Sequence, residues 1–382
     1  MSQAEDAPSE SEVYPTSSSE LSTPAILVDR RRLQRNIDAM AARVQAAGAE
    51  LWPHVKTHKS SHIADLQLEA GAIGLTAATV VEAEMLAERG IRNILLAYPP
   101  VGGWRLDRIT ELAGRCSLTV ACDRTETVLE LDDACRDAGV AVDYLWEVDC
   151  GLHRCGTEPG RATVELICEV APRTRHATFS GLMTFPGHAY GAVSSAELVA
   201  IAWQELDAIR MTADLLASRG IDTPVLSIGS TPTLHHLPGG VRGMVVRPGN
   251  YVFYDATQVA LGVVEQESCA LSVLSTVISR VSSDRLVLDC GSKALSTDRM
   301  TERSSGYGIV SGHLNLTVTK LFEEHAIVQG DAGHIGVGDR VRVIPNHACA
   351  VTNLHQHLHI VDGDRIIDRW PVDAHGWTRS GS

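Results

Sequence analysis

Short apolar segments alternate with longer amphipathic stretches through the N-terminal part of the chain. The run AILVD at residues 25–29 is typical of a buried strand, and Leu33, Ile37, Met40 and Val44 follow it at helical spacing. Seven more segments have strand character, at 50–55, 72–77, 93–98, 117–122, 144–149, 178–185 and 225–229. Helical patterns separate these segments, and a strand–helix alternation of this kind predicts a parallel sheet.

The number of predicted strands favours one architecture. Eight strands alternating with helices over about 230 residues predict a (β/α)8 barrel of the TIM type, a fold of typically about 250 residues. A doubly wound open sheet would give the same local pattern, so the sequence leaves that α/β alternative open. Gly90 and Gly220 follow two helical stretches and are expected to end them.

The pattern changes after about residue 258, where long helical stripes give way to short segments with polar turns between them. Strand character recurs in five of these segments, at 272–281, 285–291, 313–322, 339–346 and 358–363. We therefore predict three regions: a mobile tail rich in Ser, Glu and Pro at 1–22, a barrel domain at 23–258, and a C-terminal, mostly β domain at 259–382.

Composition limits the partners of the chain. Its 382 residues carry a net charge of −14, which disfavours nucleic acid and anionic membranes as partners. No apolar run approaches the ~20 residues of a membrane-spanning helix, and the first residues lack the basic-then-apolar order of a signal peptide. Nine scattered cysteines do not suggest a disulfide framework, which favours a reducing cytoplasm; we interpret Cys150 and Cys155 as ordinary buried thiols.

Basic residues follow two of the predicted strands. Lys56 lies within PHVKTHK, where the C-terminal end of a barrel strand faces the mouth of the site. A lysine forms a Schiff base with a carbonyl group once neighbours or desolvation remove its proton. Arg154, within EVDCGLHRCG, could bind an anionic oxygen through two hydrogen bonds. The alternatives are a solvated basic turn for Lys56 and a surface position for Arg154.

Two segments of small residues are candidates for anion binding. SIGSTPT places Gly229, Ser230 and Thr231 just past the last predicted strand, where barrels commonly bind phosphate. RPGNY places the backbone amides of Gly249 and Asn250 at the end of the predicted barrel. Simple tight turns would explain both segments equally well.

A histidine and a cysteine near the C-terminus suggest a metal site. His347 and Cys349 are two residues apart, so they are expected to share one face of an extended strand. Imidazole and thiolate together suit zinc or another borderline transition metal, and substrate and water would complete the coordination. His355, His357 and His359 also alternate on one strand face, and this pattern is typical of an outward polar face, with a metal triad as the alternative.

Taken together, these segments resemble the D-serine dehydratase and D-threonine aldolase family, whose barrel is similar to that of alanine racemase. The resemblance runs from about Thr23 to Arg379. The segments that carry it are TPAILVD, PHVKTHKS, EVDCGLHRCG, GLMTFPGH, SIGSTPT, RPGNYVFYD, LDCGSKALS, EEH and PNHAC. Each segment is a weak signal alone, but their common order makes the match specific.

The resemblance implies a cofactor, a metal and an oligomeric state. Lys56 would hold pyridoxal phosphate (PLP) covalently, and Arg154 would lie near the ring oxygen of the cofactor. His347 and Cys349 would bind zinc or manganese near the β-hydroxyl of the substrate, and a homodimer is expected. The residues implied to hold the cofactor phosphate are Gly229, Ser230, Thr231, Gly249 and Asn250.

Two positions bear on which branch of the family the chain resembles. Phe185 stands where the family often has a tyrosine; it can pack against the pyridine ring but cannot donate a hydrogen bond. Cys349 is typical of the D-serine dehydratases, since the aldolases pair the histidine with an aspartate. The stretch AVTNLHQHLHIVDG after it looks more like the aldolases, so the two signals conflict.

Two reactions on a small β-hydroxy D-amino acid therefore stay open. In dehydration, Lys56 would remove the α-proton, the metal would bind the β-oxygen, and a keto acid and ammonia would form. In retro-aldol cleavage, His188 is the candidate base at the β-hydroxyl, and glycine and an aldehyde would form. A racemase would need a second proton donor, and a non-catalytic PLP-binding protein would lack the second domain, so both fit less well.

Overall fold

A strand and a helix form the first long elements of the chain. The computed structural model describes residues 15–236, 240–313 and 315–376. Strand β1 (Ala25–Asp29) is almost entirely buried, and Asp29 caps helix α1 (Arg30–Ala46) by accepting a hydrogen bond from the backbone N–H of Arg32. The apolar stripe predicted for α1 is confirmed, because all four of its residues are buried: Leu33, Ile37, Met40 and Val44.

Eight parallel strands form a closed barrel. They are β2 (Glu50–Leu51), β3 (Leu75–Ala77), β4 (Asn93–Leu96), β5 (Ser117–Cys122), β6 (Val142–Glu147), β7 (Ala177–Met183), β8 (Val225–Ile228) and β9 (Val245–Val246). In space they follow the order β2-β9-β8-β7-β6-β5-β4-β3, and a parallel bridge between His54 and Thr76 closes the ring. The predicted (β/α)8 barrel is therefore confirmed, and the open sheet is not formed.

Helices follow the barrel strands, and consecutive helices from α3 to α8 contact one another around the ring. They are α2 (Ser61–Glu69), α3 (Val80–Glu88), α4 (Gly103–Ala113), α5 (Thr125–Ala138), α6 (Arg161–Val170), α7 (Ser195–Ser218), α8 (Thr231–Leu234) and α9 (Ala256–Ala260). Gly90 and Gly220 end α3 and α7 as predicted, since both have the left-handed backbone conformation (φ of +85° and +75°) that favours glycine after a helix.

The C-terminal part of the chain forms a second, mostly antiparallel sheet. Its strands are β10 (Leu271–Ser282), β11 (Arg285–Leu288), β12 (Gly308–Val310), β13 (Leu316–Leu321), β14 (Ala326–Gly330), β15 (Arg340–Pro345), β16 (His357–Asp362) and β17 (Arg365–Pro371). Two short helices interrupt them, α10 (Ser292–Leu295) and α11 (Ala348–Thr352). Because β10 pairs with both β11 and β15, six strands (β10, β11, β14, β13, β12, β15) close on themselves. The predicted mostly β character is confirmed.

The assignment of the first strand to the barrel is wrong. β1 pairs in antiparallel fashion with β10, where Ala25 lies opposite Leu274, and in parallel fashion with β16, where Leu27 lies opposite His359. The eighth barrel strand is instead β9, whose two residues are too few to give a recognisable pattern. The predicted barrel region at 23–258 therefore includes one strand of the other sheet, which ties the N-terminal and C-terminal parts of the chain together.

The prediction of a mobile tail at 1–22 is wrong for the residues that the structure describes. Ser17 forms an antiparallel bridge with Arg365, and Leu21 is buried in a small apolar cluster beside β1. Residues 1–14 lie outside the described residues. Within the described ranges, no helix combines the length and apolar character needed to cross a bilayer. All nine cysteines are free thiols, and Cys155 is half-buried rather than buried.

Candidate active site

Two adjoining cavities open at the C-terminal ends of the barrel strands, which is where barrel enzymes carry out their chemistry. Their volumes are about 520 and about 510 Å³. Both are lined by His54, Lys56, Arg154, Phe185 and Arg247, so these residues lie where the two spaces meet. The larger cavity extends to helix α11 and to other residues between strands of the second sheet, and the smaller one extends toward helix α4.

Lys56 occupies the centre of this region. It lies in a 3-10 turn (Val55–Thr57) directly after β2, and its backbone N–H approaches His54 Nδ1 at 3.4 Å. Burial lowers the pKa of Lys56, and the Cys349 thiolate only partly opposes that shift. Burial also lowers the pKa of His54 well below its usual value, and the charge of Lys56 adds to the effect. A lysine with a lowered pKa is suited to forming a Schiff base.

Phe185 contacts two basic side chains at the junction of the cavities. Lys56 Nζ lies 5.0 Å from the centre of its ring, and the Arg154 guanidinium carbon lies 4.8 Å from it. Arg154 also lies 3.8 Å from the carboxylate of Glu147, whose pKa is raised by burial. Phe185 thus supplies a flat apolar surface and no hydrogen bond, as the sequence indicated.

Four of the five predicted phosphate residues line the larger cavity, and the fifth, Gly229, is not among its described lining residues. Ser230 caps the short helix α8, and the Ser230 and Thr233 side chains form a capping box. Beneath this turn, the buried Glu205 carboxylate accepts hydrogen bonds from the Gly229 N–H at 2.8 Å and from the Thr184 hydroxyl at 2.7 Å. Burial raises the pKa of Glu205 to about 6. The turn is therefore fixed from below while its upper surface faces the cavity.

The second small-residue segment completes this wall. A Cβ atom at Gly249 would lie 3.0 Å from Thr57 Oγ1 and 3.1 Å from the His54 carbonyl oxygen, so a larger residue would push the two loops apart by a few tenths of an ångström. The side-chain oxygen Oδ1 of Asn250 is buried without a partner among the described residues. Ser230, Thr231, Gly249 and Asn250 all line the cavity. With Lys56 in the same cavity, these residues fit a phosphate-bearing aldehyde cofactor.

His347 and Cys349 face the same cavity from the second sheet. Their expected position on one strand is wrong, because β15 ends at Pro345, His347 is the residue before helix α11, and Cys349 lies in its first turn. The thiol lies 3.1 Å from the hydroxyl of Thr57, the residue after Lys56. The start of α11, rather than strand alternation, therefore brings the pair to the cavity.

His347 and Cys349 stabilise each other's charged forms, so a metal ion that bound the pair would displace the imidazole proton. Burial disfavours a charged imidazole, but Cys349 and Asp298 raise the pKa of His347 to about 10. Burial would raise the pKa of the Cys349 thiol, but His347, Lys56 and Thr57 lower it below its usual value. His347 Nδ1 lies 2.8 Å from Asp298, which leaves Nε2 for a metal ion. Thiolate and oriented imidazole are a donor set that zinc prefers.

A metal ion at His347 and Cys349 would have two protein ligands. Among the described residues, no group of three His, Cys, Asp or Glu side chains could hold a metal ion. The expected alternative triad is therefore not formed: His357 lies beside Arg369, and the His355 ring lies 3.1 Å from the carbonyl oxygen of Ala294. A metal ion at His347 and Cys349 would take its other ligands from substrate and water, which is typical of a catalytic rather than a structural site.

His188 does not belong to the described walls of either cavity. Its ring lies beside Gly151 and Gln204, and burial lowers its pKa. Tyr190, two residues later, does line the larger cavity, but burial and the nearby Cys349 raise its pKa well above the usual value. His188 therefore lies beside the described wall of the larger cavity and is not part of it, whereas Gly187 and Tyr190 are.

Sequence reasoning missed a buried charged pair in the larger cavity. Lys59 Nζ lies 2.8 Å from Asn353 Oδ1 and 3.4 Å from Glu82 Oε1. Lys59 has a positive φ of 49°, a strained conformation of the kind that clusters at functional sites. Burial raises the pKa of Glu82, and Lys59 opposes that shift. Lys59 could have been suspected because it shares the segment of Lys56, whereas neither Glu82 nor Asp298 stands in a recognisable pattern.

Comparison with known proteins gives relatives over nearly the whole chain. Residues 28–257 match the alanine racemase N-terminal domain, and residues 270–361 match a serine dehydratase domain. The D-threo-3-hydroxyaspartate dehydratase of Delftia sp. (strain HT23) is 34% identical and covers 94% of this chain and 98% of its own length.

Solved structures give the same picture. The D-threonine aldolase from Filomicrobium marinum has a TM-score of 0.88 at 27% identity and covers 95% of this chain and 98% of that one. A cysteine-to-alanine variant of D-threo-3-hydroxyaspartate dehydratase, in the metal-free form, has a TM-score of 0.86 at 30% identity. The match covers 95% of this chain and 100% of that one. A histidine-to-alanine variant of that dehydratase also matches, and the two replaced positions are two residues apart.

Proposed function

Because the chain belongs to a family of PLP-dependent lyases that act on D-amino acids, we propose that it is a dehydratase of the D-serine dehydratase type. It would convert D-serine, or a β-hydroxy D-amino acid like it, to a keto acid and ammonia. Zinc or manganese at His347 and Cys349 is part of the proposal. The homodimer and the cytoplasmic location expected from the sequence stay predictions.

One observation carries this proposal: the base candidate and the metal pair line one cavity. Lys56 and Cys349 are both in the wall of the larger cavity, and Thr57 joins their elements through its 3.1 Å contact with the thiol. A β-elimination breaks a C–H bond at Cα and a C–O bond at Cβ, so it needs two groups at adjacent carbons. This cavity offers a basic amine on one side and metal ligands on the other.

The cofactor and the metal would supply the two electronic effects. Bound PLP would supply an electron sink for the electrons left when a bond at the substrate Cα breaks. A metal ion at His347 and Cys349 would supply Lewis acidity toward the β-oxygen.

The chain itself supplies position, a proton acceptor and exclusion of water. Lys56 Nζ, whose pKa burial lowers, is suited to accept the α-proton as a free amine. Phe185 supplies an apolar surface at the junction of the cavities. The Arg154 guanidinium carbon lies 4.8 Å from the centre of the Phe185 ring, where the guanidinium could bind an anionic oxygen. Asp298 holds the His347 ring so that Nε2 is free for the metal.

Retro-aldol cleavage is the second candidate, because an aldolase is among the similar structures. That reaction needs a base at the β-hydroxyl. His188 is not among the described residues that line the cavity, and the raised pKa of Tyr190 makes it a poor proton acceptor at neutral pH. Elimination needs only Lys56 and the metal pair, so the described side chains favour it. The substitution of cysteine for the aldolase aspartate, at Cys349, points the same way.

The proposal is tested with D-serine and purified protein loaded with PLP. We expect pyruvate and ammonia in equal amounts, loss of turnover after chelation, and its return when zinc or manganese is added. A protein that binds both groups and still releases no pyruvate would contradict the D-serine assignment. Full turnover after exhaustive chelation would remove the metal from the reaction.

A further inference from the structure

The phosphate-binding wall and the metal-binding loop meet at one buried carboxylate. Asp255 comes from the segment between the barrel and the second sheet, and it is 1% exposed. Its Oδ2 atom accepts a hydrogen bond from the Asn250 side-chain amide at 2.5 Å and another from the Ala348 N–H at 3.0 Å. Asn250 belongs to the proposed phosphate wall, and Ala348 stands between His347 and Cys349.

The rest of Asp255 is fixed as well. Its Oδ1 atom accepts a hydrogen bond from the Gln258 N–H at 3.1 Å, so the carboxylate also caps helix α9. Two residues on, the Thr257 hydroxyl donates to the carbonyl oxygen of Asn346 at 2.6 Å. The carboxylate therefore cannot turn toward one loop without losing contact with the other.

We propose that Asp255 is a positioning residue that couples PLP binding to metal binding. This inference rests on the proposed function, since it takes the phosphate at Asn250 and the metal at His347 and Cys349. A metal ion would fix the His347–Cys349 loop and with it the Ala348 N–H. Asp255 would then hold the Asn250 side chain, and the backbone of the phosphate wall would be ordered before the cofactor arrives.

Coupling of this kind is reciprocal, so PLP must strengthen metal binding by the same factor by which the metal strengthens PLP binding. A metal ion also acts directly on Lys56 through its charge, and that effect does not need Asp255. The two routes differ in one respect: only the route through Asn250 depends on the phosphate group of the cofactor. Pyridoxal, which lacks the phosphate, therefore separates them.

The experiment measures dissociation constants on the full-length protein after removal of PLP and metal. PLP and, separately, pyridoxal are titrated with and without zinc, and binding is followed by the absorbance of the cofactor. We expect zinc to tighten PLP binding by at least about fivefold, the lower end of typical coupling. We expect little or no change for pyridoxal.

Two variants cut the link from different sides. Asp255→Asn turns an amide N–H toward at least one of the N–H groups from which the carboxylate accepts a hydrogen bond, so that bond is lost. Asn250→Ala removes the side-chain amide that donates to Asp255 and leaves the backbone N–H of residue 250 in place. Each should reduce the effect of zinc on PLP to less than about twofold, and the double variant should reduce it no further. Asp29→Asn, at a helix cap away from the site, is the matched control and should keep the full effect.

The outcomes separate this inference from the proposed function. Independent binding of zinc and PLP to the unaltered protein, or equal coupling in all variants, would overturn the role of Asp255 and leave the proposed function standing. Equal tightening of PLP and pyridoxal would assign the coupling to direct electrostatics and also overturn it. Failure of PLP or zinc to bind at all would contradict the proposed function and, with it, this inference. If Asp255→Asn does not fold, Asn250→Ala still decides.

Discussion

The two sides of the larger cavity control ionisable groups by opposite means. On the barrel side, burial lowers the pKa of Lys56 and so favours the neutral amine. On the side of His347 and Cys349, burial would favour a neutral thiol, but the charge of His347 lowers the pKa of Cys349 and favours the thiolate. Burial thus sets the pKa on the barrel side, and a neighbouring charge sets it on the other side. Each group thereby reaches the form that its proposed role requires.

The largest loss of activity should come from removing the lysine on the barrel side of the cavity. Lys56→Ala removes both the cofactor attachment and the proton acceptor, so we expect the bound-cofactor absorbance to disappear and kcat to fall by at least about 10²–10⁴-fold. Absorbance spectra and turnover of D-serine check this. Lys293→Ala, at an exposed ion pair, is the control. A surviving bound-cofactor absorbance in Lys56→Ala would contradict the assignment.

Removing the thiolate of the proposed metal pair should cause the next largest loss of activity. Cys349→Ala leaves His347 without its thiolate partner, so zinc affinity and turnover should fall together by more than about 100-fold, beyond what outer-shell changes usually cause. Zinc titration by calorimetry and the pyruvate assay measure the two losses. Cys168→Ala, another half-buried thiol, should change neither. Undiminished zinc affinity in Cys349→Ala would place the metal elsewhere.

A milder change on the same side tests the paired charges. Asp298→Asn keeps the volume of the side chain but removes the charge that orients His347 and raises its pKa. We expect about a 10- to 100-fold loss of zinc affinity. The same substitution should leave PLP binding measured without metal unchanged. An equal loss of PLP affinity would show that Asp298 supports the fold of the site rather than the metal.

The smallest expected effect concerns stability and pH. The pKa of Lys56 is lower in the folded protein than in the unfolded chain, where it is about 10.4. The unfolded state then binds more protons below that pH, so the contribution of Lys56 to stability is lost as pH falls through its folded-state pKa. Lys56→Met should therefore raise the melting temperature of the cofactor-free protein at neutral pH, and the gain should shrink toward pH 10. Thermal unfolding at several pH values would show an unchanging difference if burial were not the cause.

Much of the fold could be predicted from the sequence because its elements are regular. The stripe of α1 and the alternation of strands and helices follow local periodicity, and both are confirmed. The error at β1 has a physical reason: a run of buried apolar residues looks alike in either sheet, and its partners β10 and β16 lie far away in the sequence. β9 was missed because its two residues are too few to show a period; β2 is equally short and was found only because the segment at 50–55 around it has strand character.

The residues of the candidate site also fall into two groups, those that the sequence could indicate and those that only the tertiary fold reveals. Lys56 and the Gly249–Asn250 pair stand in short segments at strand ends, where a barrel brings chemistry together, so sequence could indicate them. Asp298 lies 49 positions before His347, the residue it orients, and only the tertiary fold brings them together. His188, the candidate base from the sequence, is not among the described residues that line either cavity, and no sequence pattern distinguished it from Tyr190, which lines the larger one.

The central claim is elimination rather than cleavage, and D-threonine tests it most directly because both reactions can act on it. Purified protein with PLP and zinc is given D-threonine alone, and four products are measured in one sample. We predict 2-oxobutanoate and ammonia in equal amounts. Glycine and acetaldehyde in equal amounts would contradict the account and assign the cavity to retro-aldol cleavage despite Cys349.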